Sequence, residues 1–184
     1  MYASPPPLRR TILVAAAVLA IALGACGGNG DEGASKTQRV AGPGFTFEVP
    51  SGREVTRTPR SVSVVPTDAG SREVESVTRF PLVKVYRPSL WPKAIVELDS
   101  VAERLTARLG GEYTNAIATT RIGGLRGRRY EIAFERNGEA LRQRLTLLLD
   151  TRTEYQLLCR WSAAGDEPKA CALVERTFAP VRPR

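Results

Sequence analysis

RRYEIAFERNGEALRQRLTLLLDTRTEYQLLCRWS, residues 128–162, is the stretch that decides the fold of this chain. Tyr130, Ile132 and Phe134 alternate with Glu131, Ala133 and Glu135, the period of two that turns one side of a strand toward a core. Asn137-Gly138 follows, and Asn-Gly between strand-like runs is the strongest short hairpin signal. Leu147-Leu148-Leu149 and Leu157-Leu158-Cys159 are apolar at every position, as expected of central strands covered on both faces. Residues 128–136, 141–149 and 154–162 therefore read as three strands of an antiparallel meander.

Working outward, a fourth strand at 115–122 precedes Gly123-Gly124. Before it, Ile95, Leu98, Val101, Ala102, Leu105 and Leu109 recur at three- and four-residue spacing. Pro92 suits the start of that helix and Gly110-Gly111 its end. A second helix is expected over 167–178, with Cys171, Val174 and Phe178 on one stripe. Upstream, strands are expected at 45–49, 61–65 and 74–86, the last with Val83 and Val85 on one side. Pro81 inside it marks an edge or an interruption. The order predicts an α+β domain over residues 45–181, an antiparallel sheet between helical layers.

The N-terminal end reads differently. Arg9-Arg10, an apolar stretch from Thr11 to Gly24, and Leu23-Gly24-Ala25-Cys26 resemble a bacterial lipoprotein signal peptide. That resemblance implies cleavage after residue 25 and a diacylglyceryl group on Cys26. A transmembrane helix is the alternative, but fourteen residues rise roughly 21 Å against a ~30 Å hydrocarbon core. A plain secretory signal is the other. Residues 26–44 are glycine-rich and polar, so they are expected to form a lipidated tether with a reach of roughly 20–25 Å.

The chain has 184 residues, a net charge of +8 and three cysteines. With Cys26 taken by lipid, Cys159 and Cys171 remain as an even pair in an oxidising compartment, which reads as a disulfide. Two separately buried thiols are the alternative. Tyr155, Leu157, Cys159 and Trp161 share a strand face, and a helix doubling back would bring Cys171 onto it. The positive charge suits anionic headgroups or envelope polymers rather than nucleic acid, given the extracytoplasmic address.

The Phe-Thr-Phe-Glu-Val-Pro opening at 45–50, the middle helix, the Tyr130 strand with its hairpin, and the terminal helix ending in Phe178 before Ala179-Pro180 resemble PsbP/Mog-like domains. Bacterial lipoproteins, notably actinobacterial ones, carry such domains behind a lipobox. The resemblance covers about residues 43–181. It implies an α/β/α sandwich acting as a binding or assembly module, with no chemistry of its own; no ligand set for the metal-cluster role of photosynthetic members is visible.

Histidine is absent, which removes Ser-His and Cys-His nucleophile pairs and most metal sites. Ser89 and Lys93 are four apart rather than three, so they do not match Ser-x-x-Lys. Glu131 and Glu135 share a strand face at ~13 Å, too far for a glycosidase pair. No enzyme, metal or cofactor is expected. Arg121, Arg126, Arg128 and Arg129, with Arg142 and Arg144, form a candidate anion site if their strands are neighbours. The alternative is a solvated face with ion pairs to Glu131, Glu135 and Glu139. The expected function is a membrane-anchored, non-catalytic binding or assembly module, whose partner is an anionic lipid, an envelope polymer or an envelope protein. The runner-up is a carrier of an apolar ligand in a cavity lined by Phe134, Leu145, Tyr155 or Trp161.

Overall fold

The meander of residues 128–162 is the middle of an eight-stranded antiparallel sheet in a computed structural model that describes residues 36–181. The expected signal peptide, Cys26 and the first part of the expected tether lie outside the described residues. In chain order the strands are β1 (Thr37–Gly42), β2 (Phe45–Pro50), β3 (Glu54–Arg57), β4 (Ser61–Val65) and β5 (Val74–Pro81), followed by helix α1 (Trp91–Leu109). Then come β6 (Glu112–Tyr113), β7 (Ala118–Ile122), β8 (Leu125–Arg136), β9 (Glu139–Asp150) and β10 (Thr153–Ser162). Helix α2 (Lys169–Thr177) and β11 (Ala179–Pro180) complete the described chain. The large sheet runs β3-β4-β5-β10-β9-β8-β6, with β7 also paired to β8; a small sheet runs β1-β2-β11.

The leucine runs sit where an all-apolar strand belongs. Leu145, Leu147 and Leu149 of β9 pack with Tyr130 against Trp91, Leu98 and Ala102 of α1. On the other face, Leu148, Tyr155, Leu157, Val77, Val62 and Val64 meet Phe45, Phe47 and Val49 of the small sheet, with Val174 and Phe178. The layers are thus α1, the large sheet, and a mixed layer of α2 and the small sheet. Phe45 is wholly buried against the Tyr155 and Phe178 rings, at 6.1 and 6.2 Å between centroids. Thr177 Oγ1 accepts from the Glu48 amide at 2.8 Å, tying α2 to β2.

The turns follow local chemistry. Asn137 and Gly138 adopt φ of 54° and 76°, the left-handed pair that the β8–β9 hairpin needs. Gly110, at φ 65°, caps α1.

Several expectations are corrected. Residues 37–42, read as tether, form β1, whose Val40 is buried opposite Phe47 of β2. The stretch 74–86 leaves the sheet at Pro81, which has no N–H to continue the ladder, and Val83 is fully exposed. The strand expected at 115–122 begins at Ala118, and β3 and β6 were unforeseen.

Candidate functional site

The six arginines singled out from the sequence do not converge. Directly paired residues share a face, and the register Arg128↔Leu147 and Arg129↔Thr146 puts these two arginines on opposite sides of the sheet. On the α1 side, Arg128 donates from Nε and Nη2 to the two Asp99 carboxylate oxygens, each at 3.0 Å. Tyr130 donates its hydroxyl to the same carboxylate at 2.7 Å. The guanidinium's bond to Asp99 holds the Arg128 pKa above its ordinary value; burial, then the phenol's own bond to Asp99, pushes the Tyr130 pKa up. Arg126 lies over the Trp91 ring at 4.3 Å, and Arg121 donates to the Gly124 carbonyl.

On the α2 side, Arg129 reaches Glu175 at 2.6 Å, and Arg144 bridges Glu131 at 2.8 Å and Glu167 at 2.6 Å. Burial works against the Arg144 charge, but the bonds to Glu167 and Glu131 outweigh it and raise its pKa. Arg142 is exposed on this face. Three of the six, Arg128, Arg129 and Arg144, are therefore held in structural ion pairs, and the set is split because each strand sends alternate arginines to different layers.

Cys159 and Cys171 do meet in the strand–helix seam. The structure joins them with Cα atoms 5.6 Å apart, the spacing a disulfide requires. Glu75 lies beside them, wholly buried. One of its oxygens accepts from Arg53 Nη1 at 2.7 Å, and Oε1 has no hydrogen-bond partner among the described residues. Burial pushes the Glu75 carboxyl up to about 7; Arg53 opposes this and Glu73 adds to it. With the sulfurs joined to each other, the corner offers a single carboxylate and no set of metal donors.

The other half of the α1 side carries no helix among the described residues. Among the described residues, helix α1 packs over β8, β9 and the short β6. Beyond it, the rows Leu158–Ser76–Ser63 and Gln156–Thr78–Ser61 run across β10, β5 and β4. All six residues are half-buried, whereas Leu157, Val77 and Val62 beneath them are buried. Glu154 and Phe80 close this face at one end and Arg160 at the other. Burial raises the Glu154 pKa, and Gln156 donates to it at 2.8 Å.

At the Arg160 end, Arg72, Arg136, Asn137, Glu139 and Leu141 complete a cavity of about 300 Å3. The sequence reading passed over Arg72, Arg136 and Arg160. Its usable signal was phase: Arg160 occupies the strand position opposite in direction to Cys159 and Trp161. Bringing Arg72 to it needs the β5–β10 pairing, which no local pattern announces.

The apolar cavity envisaged for a carrier does not form from its four residues. Phe134 and Leu145 face α1, while Tyr155 and Trp161 face the α2 layer, and all four are buried.

No family profile matches the chain, and no curated protein matches it. Among solved structures it is similar to LpqN, involved in cell envelope biogenesis of Mycobacterium tuberculosis, with a TM-score of 0.54 and 10% identity over 80% of this chain and 91% of that one. A protein from Bacteroides thetaiotaomicron gives a TM-score of 0.56 and 14% identity over 78% of this chain. This chain spans only 48% of that protein. The likeness is one of fold, and the PsbP/Mog-like resemblance remains one of element order. No helix among the described residues is long and apolar enough to cross a membrane.

Proposed function

We propose that the chain is a lipid-anchored envelope module on the extracytoplasmic face, which binds a partner or ligand without catalysing a reaction. The observation that carries this reading is the uncovered half of the sheet. Side chains of β4, β5 and β10 form a mixed polar and apolar floor beside α1, while the arginines elsewhere on the sheet are largely committed to structural pairs. The likeness to an envelope-biogenesis protein and the lipobox at Cys26 support the setting. The binding reading ranks above the apolar carrier because Phe134 and Tyr155 belong to separate cores.

The test has two arms. Protein purified in gentle detergent should retain a lipid or protein partner by mass spectrometry, and Leu158→Lys, which places a charge on the open floor, should lose it. Retention of the same species by the variant refutes the binding face. Cys26→Ser should leave the protein soluble or unprocessed and free of radiolabelled fatty acid; label entering the variant refutes the anchor.

A further inference from the structure

We propose that the arginine-lined pocket at the end of the open face is an anion site for a phosphomonoester group, gripped by Arg136 and Arg160 with Arg72 at its rim. The proposal deepens the binding-module reading and rests on it.

Charge counting gives the first reason. Three guanidinium groups and one carboxylate line the cavity. Arg72 Nε is bonded to Glu139 at 2.6 Å, so the one carboxylate is already engaged. Two positive charges remain, which a phosphomonoester dianion matches and a single carboxylate does not.

Arg160 gives the second. The other sheltered arginines, Arg53, Arg128, Arg129 and Arg144, each have a carboxylate of their own. Arg160 is half-buried, and its side chain has no hydrogen bond or ion pair among the described residues. Its strand register, opposite Gln143 and Val74, keeps it on the pocket side. Burial, and then the charges of Arg136 and Arg72, hold its pKa below the ordinary guanidinium value. An anion would reverse that penalty, and planar guanidinium forks suit phosphate oxygens.

Size gives the third. About 300 Å3 is at the small end of ligand pockets, enough for a phosphate and its first few carbon atoms. Asn137 adds an amide to the rim, and Leu141 offers an apolar wall to the ester carbons. The phosphate could be borne by a soluble ester or by a lipid headgroup.

The experiment uses the full chain in non-ionic detergent, titrated calorimetrically with inorganic phosphate. In parallel the soluble full-length Cys26→Ser chain, which lacks the proposed anchor, is sedimented without detergent with phosphatidylcholine vesicles with and without phosphatidate. Binding in either arm should weaken about tenfold or more in Arg160→Gln and in Arg136→Gln. Arg142→Gln removes the same charge from the opposite face of the sheet and should leave affinity within about twofold. Binding of free phosphate points to a soluble source, and phosphatidate-dependent sedimentation alone points to a headgroup; both support the site. Arg160→Gln should melt no lower than the parent, since it relieves repulsion. If it misfolds, the exposed Arg136→Gln decides. Absence of binding in both arms, wild-type affinity in the pocket variants, or equal weakening by Arg142→Gln overturns the proposal. If Arg136→Gln loses phosphate while Leu158→Lys keeps its partner, the pocket stands and the wider binding face falls.

Discussion

Asp99 serves two partners at once, and its removal would orphan both. Arg128 would keep a sheltered charge without a counter-ion, and the Tyr130 hydroxyl would lose its acceptor. Asp99→Ala is expected to lower unfolding free energy by roughly 2–4 kcal/mol, measured by urea melts; a loss within the ~0.5 kcal/mol of ordinary surface substitutions would refute the coupling. Glu75 carries a pH signature of definite sign. Its carboxyl titrates near 7 in the folded chain against a reference of 4.5. The native state therefore holds the proton more tightly, and stability falls as pH rises through that window. Glu75→Gln should flatten the slope in thermal melts taken between those pH values. These partnerships were illegible in the sequence because they join residues distant along the chain. Of the carboxylates expected to pair with the arginines, Glu131 does bind Arg144 and Glu139 binds Arg72 instead; Asp99 and Glu175 arrive from the two helices and Glu167 from the loop before α2.

At the scale of elements, the seam between β10 and α2 was the more readable. Period-two phasing put Cys159 beside Trp161, helical phasing put Cys171 on the stripe of Val174, and a short return between them left one way to dock. Unreduced protein should show no free thiol at Cys159 or Cys171. Replacing both by alanine should cost roughly 2–3 kcal/mol of stability and leave membrane attachment unchanged. The long strands β8, β9 and β10 were legible because their own alternation and the Asn-Gly turn specify them. Short β1, β3 and β6 were not. Val40 is the single buried side chain of β1, and the strand exists because β2 offers a six-residue ladder. A chain begun at Phe45 should accordingly melt lower, with roughly 2 kcal/mol lost from Val40 burial alone; an unchanged melting point would show that β1 is dispensable.

For the whole molecule, the α+β class followed from element order, but its asymmetry did not. One helix spans half a sheet because α1 follows the β8–β9 half, while β4 and β5 present Ser61, Ser63, Ser76 and Thr78 on that side and give a helix little to bury. The sequence places these residues in strands at 61–65 and 74–86, but only the pairing of β4, β5 and β10 shows them as one floor.

The two margins of the large sheet have a bearing on life at a membrane. One ends in β3, four residues carrying Glu54 and Arg57; the other breaks into β6 and β7, which share the flank of β8. Neither margin offers a long, flat run of free backbone groups on which a second molecule could lay a strand. Copies anchored as proposed would be crowded into two dimensions, where chance side-by-side encounters are frequent. Frayed borders of this kind would keep such neighbours from knitting together into a continuous sheet.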